Sequence, residues 1–158
     1  MKAKISLAAI VMAGFVLFAA CGSSGSGTTT SSPAQSAAYS TGSAVGSSIS
    51  GLYQQYKTTK TIDFKNANTY LQLLTLATQV PTIKQNYKNP TFYAQFTQGA
   101  ISGSQQLVTN SNANSVLNIL AGLDLSGITS AGSGSNVTTS TATTVLNSLS
   151  GLFSLFSK

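Results

Sequence analysis

Apolar residues recur at helical spacing at both ends of the segment 34–158. Val45, Ile49, Leu52, Tyr53 and Tyr56 lie at i, i+4, i+7, i+8 and i+11, which is the spacing of one face of an α-helix. We therefore predict a first helix over residues 34–60. A second stripe predicts a final helix from about residue 141 to residue 156, and it consists of Val145, Leu146, Leu149, Leu152, Phe153 and Phe156.

The most apolar part of this segment predicts a second, central helix. Its start falls at Asp63 or at Asn66, because both residue types are good helix N-caps. Leucine, tyrosine and valine residues cover more than half of its circumference, which is typical of a helix buried among others. Pro81 is expected to end or kink this helix, and residues 82–88 to form a short helical turn after it.

Two shorter helices and a loop are predicted in the remaining stretch. Asn89 caps the third helix, with Pro90 in its first turn, and Asn112 caps a fourth helix that runs to about residue 123. The Gly- and Ser-rich residues 126–140 predict a flexible loop. Since no segment alternates between apolar and polar residues as a strand would, the chain is predicted to form an all-α bundle of four to six helices.

Two pairs of glycines lie four residues apart inside predicted helices, Gly42 with Gly46 and Gly99 with Gly103. A glycine in a helix interior costs about 1 kcal/mol relative to alanine, but small residues at this spacing let two helix backbones approach closely. The pattern fits tight packing within the bundle. It also fits a docking face for a partner helix or another copy of the chain, so both interpretations stay open.

The first residues of the chain have the pattern of an export signal. Lys2 and Lys4 precede an uncharged, mostly apolar stretch over 5–20, which ends in two alanines directly before Cys21, the only cysteine. This arrangement of charge, apolar run and small residues is typical of a cleaved signal. With a cysteine directly after the small residues, it resembles the lipobox signal of bacterial lipoproteins.

The resemblance implies how the chain is divided and where it resides. Residues 1–20 would be a signal peptide removed before Cys21, whose thiol would carry the lipid that holds the protein to a membrane. Residues 21–33 would form a flexible tether of Gly, Ser and Thr, followed by the helical domain 34–158. Gly22 stands where an aspartate would favour retention in the inner membrane, so the outer membrane is implied if the host is Gram-negative.

Charge is sparse after the predicted signal peptide. Without Lys2 and Lys4, six lysines remain against Asp63 and Asp124, which gives a formal net charge of +4. These lysines are spread along the chain, whereas nucleic-acid binding usually needs clustered basic residues. We therefore expect no nucleic acid among the partners.

The residue types needed for most catalytic and metal sites are missing or scarce. The chain has no His and no Glu, and its two aspartates lie far apart. General acid–base catalysis and metal binding both need several such groups, so we expect no enzymatic activity, metal or cofactor. A Ser/Thr–Lys pair and a binding surface of tyrosines remain as alternatives, the latter formed by Tyr53, Tyr56, Tyr70, Tyr87 and Tyr93.

Together these features predict a non-catalytic lipoprotein with a binding, scaffolding or accessory role in the cell envelope. Its expected partners are the membrane, through the lipid on Cys21, and an envelope protein or a second copy of the chain. The alternative is a membrane-active lipoprotein whose final amphipathic helix inserts into a bilayer, since LFSLF at 152–156 is strongly apolar.

Overall fold

The computed structural model describes residues 36–157, and within this range it contains six α-helices and no β-strand. This confirms the prediction of an all-α bundle of four to six helices. The elements are α1 (Ala37–Thr59), α2 (Ala67–Asn86), α3 (Pro90–Gly103), α4 (Ala113–Gly122), α5 (Ser126–Ala131), a 3-10 turn (Gly134–Asn136) and α6 (Thr139–Phe156).

Helix α2 begins at the second of its two candidate caps. The Asn66 carboxamide oxygen accepts hydrogen bonds from the backbone N–H groups of Asn68 and Thr69, at 3.0 and 3.2 Å. The Asp63 carboxylate instead accepts from the N–H of Lys65, which closes a small turn before the helix. Asn66 satisfies two of the N–H groups that every helix start leaves unpaired, and it is therefore the N-cap.

The next two helices start where their sequences predict. The Asn89 side chain accepts from the N–H groups of Thr91 and Phe92, and Pro90 occupies the first turn, where its missing N–H costs nothing. Asn112 precedes α4, but its side chain bonds backbone groups of the preceding turn rather than of the helix. Asn112 therefore fixes the chain before α4 instead of capping it through the side chain.

Of the two effects predicted for Pro81, an end or a kink of the helix, the structure excludes the end of α2 at this residue. The helix runs through Pro81 to Asn86. The proline ring is exposed, while the residues on either side of it in the buried stripe, Val80 and Ile83, are 5% and 0% exposed. Burial of each large apolar side chain contributes about 1.5–3 kcal/mol. Tertiary contacts of this size offset the roughly 3 kcal/mol cost of an interior proline.

The segment 126–140, for which the composition predicts a loop, is partly helical. It contains α5 and the 3-10 turn, and α6 begins at its end. The Asp124 carboxylate accepts from both the N–H and the hydroxyl of Ser126 at the start of α5. Ile128 is fully buried, and its carbonyl oxygen accepts a hydrogen bond from the Tyr70 hydroxyl at 3.0 Å. Tertiary contacts therefore stabilise a helix that the local composition does not favour.

The core lies between α1, α2 and α3 and extends to the C-terminal helices. The most extensive contact between helices joins α1 and α3, and α4 contacts both α2 and α6. The apolar stripe of α6 packs into the same core, where Phe153 is 2% exposed and stacks in tilted geometry near Tyr53 and Tyr56. The Tyr53 hydroxyl donates to the Phe156 carbonyl oxygen at 3.0 Å.

Candidate functional site

The four glycines singled out in the sequence line one contact between α1 and α3, here called the glycine seam (Gly42, Gly46, Gly99 and Gly103). A β-carbon added at Gly42 would overlap the carbonyl oxygen of Phe96, and one at Gly99 would overlap that of Tyr39. The glycines of each helix therefore face the backbone of the other helix. The absence of side chains is what allows the two backbones to touch.

The remaining pair continues the seam in the same direction. A β-carbon at Gly46 would lie 2.5 Å from the carbonyl oxygen of Ala100 and 2.9 Å from the Ser104 nitrogen, and one at Gly103 would overlap the Ser43 carbonyl oxygen. Since contacts advance along both helices together, α1 and α3 run parallel. This face is occupied within the chain itself, so at these positions no surface is left over for a partner helix.

The predicted lipidation site lies outside the described part of the chain, whereas the residues of the predicted tyrosine surface lie within it. Cys21, the signal peptide and the tether lie outside residues 36–157, which are the ones that the structure describes. The hydroxyls of Tyr53 and Tyr70 bond to backbone carbonyls inside the domain, so these two tyrosines have structural partners. Tyr56, Tyr87 and Tyr93 are half-buried against the core.

A cleft that the sequence analysis does not identify lies between the second half of α2 and the turn from α4 to α5, and we call it the α2–α5 cleft. Its volume is about 480 Å³. Apolar groups form most of its surface, and a lysine, an aspartate and several hydroxyls complete it. The lining residues are Ala77, Thr78, Val80, Pro81, Lys84, Leu123, Asp124, Leu125, Ser126 and Thr129.

Pro81 removes one backbone hydrogen bond from the part of α2 that lines this cleft. In a regular helix the N–H of residue 81 would donate to the carbonyl of Ala77, four residues earlier. Proline has no N–H, so the Ala77 carbonyl lacks its usual helical partner. Both Ala77 and Pro81 line the cleft, and a backbone acceptor is therefore left without its standard donor at this position.

The two charged residues of the cleft have opposite signs and lie on opposite walls. The hydroxyl and the backbone N–H of Ser126, which donate to Asp124 Oδ1 at 2.7 and 3.1 Å, hold the pKa of the exposed Asp124 carboxyl below its ordinary value. The positive charge of Lys84 lowers it further, although less strongly. Asp124 is consequently a carboxylate at neutral pH, facing a cation across an apolar floor.

This arrangement can bind a ligand through charge and apolar contact. Within residues 36–157, no three His, Cys, Asp or Glu side chains come together in the way that a metal ion requires. Over the same range, none of the helices combines the length and apolarity needed to cross a bilayer.

Comparison with protein-family models, with curated proteins and with solved structures finds no match to this chain.

The sequence offers one weak signal for the cleft, which is a proline inside a helical pattern. Pro81 is three residues before Lys84, so both fall near one another on the α2 surface. Asp124 is 40 residues further along the chain, and only the packing of the α4–α5 turn on α2 brings it near. That packing depends on tertiary contacts such as the one between Tyr70 and Ile128, which no local pattern reveals.

Proposed function

We propose that this chain is a lipid-anchored bacterial lipoprotein whose helical domain has a non-catalytic binding, scaffolding or accessory role in the cell envelope. The observation that carries the proposal is the position of Cys21, the only cysteine, directly after two alanines and the apolar stretch 5–20. Because residue 22 is a glycine and not an aspartate, we extend the proposal to the outer membrane if the host is Gram-negative. Two or three acyl chains on one residue would anchor the protein stably, whereas one chain binds only marginally.

The domain supports a binding role through its shape and chemistry. The α2–α5 cleft offers apolar contact together with one cation and one anion, Lys84 and Asp124. Ligand sites in proteins are typically concave, mostly apolar and equipped with a few polar groups that orient the ligand. A tethered domain with such a cleft suits capture of a partner or small ligand near a membrane surface.

The membrane-active alternative has less support because α6 already uses its apolar face. Val145, Leu149, Leu152 and Phe153 are each at most 2% exposed. Insertion would transfer these four side chains to another apolar environment, but it would expose to water the core residues of the other helices that they now cover, which is unfavourable in proportion to the apolar area. No contact of α6 favours insertion over packing, so we do not propose it.

Metabolic labelling with an alkyne analogue of palmitate tests the anchoring directly. The wild-type protein should incorporate the label and fractionate with membranes. Cys21→Ala should lose the label and retain the signal peptide, which adds about 20 residues to its size on a gel. Ser24→Ala, three residues away in the tether, is the matched control and should behave like wild type. Equal labelling of wild type and Cys21→Ala would refute lipidation at Cys21.

Crosslinking in living cells tests the accessory role. If the domain serves an envelope complex, one protein should crosslink to the wild type and disappear with Cys21→Ala, because that variant lacks the lipid that directs the protein to its proper membrane. Crosslinks between copies of the chain would instead indicate self-association. Crosslinking that is indifferent to Cys21→Ala would count against a role that depends on the anchor.

A further inference from the structure

We propose that the α2–α5 cleft binds a short apolar peptide with free termini, about two or three residues long. In this arrangement the peptide's ammonium group contacts Asp124, its carboxylate contacts Lys84, and a backbone N–H donates to the Ala77 carbonyl. The inference rests on the proposed binding role and names the class of ligand that this role would serve.

Charge complementarity is the first argument for this occupant. Asp124 is one of only two aspartates in the chain, and it lines the same cleft as Lys84. Both hydrogen bonds from Ser126 reach Oδ1 of Asp124, so Oδ2 is available to an ammonium group. A small peptide with free termini carries one charge of each sign at its two ends. An internal segment of a protein has no backbone charge to offer.

The floor of the cleft explains the preference for apolar side chains. The floor consists of four residues that are buried in the core and reach the cleft with only an edge, namely Ala77, Val80, Leu123 and Leu125. An apolar side chain placed there would cover the remaining apolar surface, which is favourable in proportion to its area. The volume of about 480 Å³ lies within the range of roughly 300–1,000 Å³ that is common for small-ligand sites.

The backbone of α2 supplies the third contact. Because Pro81 cannot donate to Ala77, the Ala77 carbonyl can accept a hydrogen bond from a ligand without disturbing the helix. Buried or partly buried backbone acceptors are nearly always paired, and a peptide N–H is the donor that a carbonyl most often meets. Free amines, sugars or fatty acids would each leave at least one of these three groups without its complement.

Isothermal titration calorimetry on the full, lipidated chain in detergent micelles tests the proposal, with protein-free micelles as the blank. The probes are the dipeptide Leu-Leu, N-acetyl-Leu-Leu and Leu-Leu-amide. Removing either terminal charge should weaken binding about 1.5- to fivefold, the range for charge contacts near a surface. Leu-Leu should bind most tightly of the three.

Charge-removing variants show whether each terminus meets the expected residue. Lys84→Gln should bind Leu-Leu and Leu-Leu-amide equally, and Asp124→Asn should bind Leu-Leu and N-acetyl-Leu-Leu equally. Lys88→Gln and Asp63→Asn remove the same charges from residues that do not line the cleft, and they should keep the wild-type order. Circular dichroism confirms that every variant keeps its helix content.

Pro81→Ala gives an independent check on the Ala77 carbonyl. The new N–H can donate to that carbonyl within α2, so Leu-Leu binding should weaken although the helix gains a hydrogen bond. Absence of Leu-Leu binding to the folded wild type, or equal affinity for blocked and free peptides, would overturn the inference. Palmitate labelling is unaffected by these outcomes, so the cleft proposal and the anchoring proposal fail separately.

Discussion

What lies opposite a glycine decides the cost of that glycine in a helix. Gly42 and Gly99 meet the backbone of the neighbouring helix with no room for a β-carbon, whereas nothing lies within 4 Å of a β-carbon added at Gly151. At all three positions alanine would be the better helix former. In the glycine seam, close contact between α1 and α3 compensates for that cost, and at Gly151 no contact with another residue of the range 36–157 does so.

Alanine substitutions should therefore have opposite effects at these positions. Gly42→Ala and Gly99→Ala should each destabilise the domain by about 1–3 kcal/mol, because the new β-carbon forces α1 and α3 apart. Gly151→Ala, also inside a helix, should stabilise it by up to about 1 kcal/mol. Urea unfolding followed by circular dichroism measures all three, and a destabilised Gly151→Ala would indicate a contact that this account lacks.

Two adjacent glutamines adopt a backbone conformation that glycine would adopt more easily. Gln105 and Gln106 have φ of 51° and 74°, and the N–H of Leu107 donates to the Ser104 carbonyl at 3.2 Å. Positive φ at both central residues is the pattern of a type I′ turn, which favours Asn and Gly. A non-glycine residue held in such a region costs on the order of 1 kcal/mol or more.

Gln106→Gly should consequently raise the free energy of unfolding by about 0.5–1 kcal/mol. The gain from relieving the backbone exceeds the entropy that the unfolded chain acquires with glycine. Gln98→Gly is the matched control, since Gln98 is exposed in the interior of α3, and it should cost about 1 kcal/mol. Thermal unfolding of the two variants would refute the prediction if both shifted the midpoint downward.

At the level of helices, burial determines where α2 ends more strongly than its proline does. Pro81 removes one hydrogen bond from the helix, but Val80 and Ile83 keep the following turn against the core. Pro81→Ala should therefore stabilise the domain, by about 1–3 kcal/mol, because it restores the donor to Ala77 without changing any buried side chain.

Pro90→Ala provides the comparison for this substitution. Pro90 lies in the first turn of α3, where an N–H has no helical partner to find, so the same replacement should change stability by less than about 0.5 kcal/mol. Chemical denaturation of both variants gives the difference. If the two substitutions changed the free energy of unfolding equally, the missing hydrogen bond in α2 would not be what lowers the stability of the domain.

The helices that the sequence predicts well are those with strong local signals. Asn89 followed by Pro90 marks the start of α3, and the 3.6-residue stripe from Val45 to Tyr56 marks α1. Helix α5 has no such signal, because Ile128 is its one large apolar residue and its partners lie far away in the chain. The glycine spacing likewise predicts a close helix contact without revealing that α1 and α3 are the two helices that make it.

Across the whole domain, apolar burial and backbone hydrogen bonds hold the fold, and charge contributes little. Every Lys and Asp within residues 36–157 is exposed, namely Lys57, Lys60, Asp63, Lys65, Lys84, Lys88 and Asp124. Exposed charges are screened by salt and contribute little to stability individually. The unfolding midpoint of the protein should therefore change little with ionic strength.

The same composition predicts a flat dependence of stability on pH near neutrality. Histidine, whose ordinary pKa lies between pH 5 and 8, is absent from the chain, so no side chain with an ordinary pKa in that interval can link folding to proton uptake. Asp124 changes the stability of the fold only at lower pH. Hydrogen bonds from Ser126 hold its folded-state pKa below the ordinary value of 3.8, so folding favours its charged form.

A carboxyl with a lowered pKa stabilises the folded state above its unfolded pKa and loses that contribution as the pH falls through its folded pKa. Calorimetric unfolding midpoints should therefore stay level from pH 8 to pH 5 and decline slightly below about pH 4. Asp124→Asn should make this decline smaller, because it removes the carboxyl whose pKa folding lowers. A midpoint that moved by several degrees between pH 8 and pH 5 would contradict this account, because it would require a titrating group that the sequence does not supply.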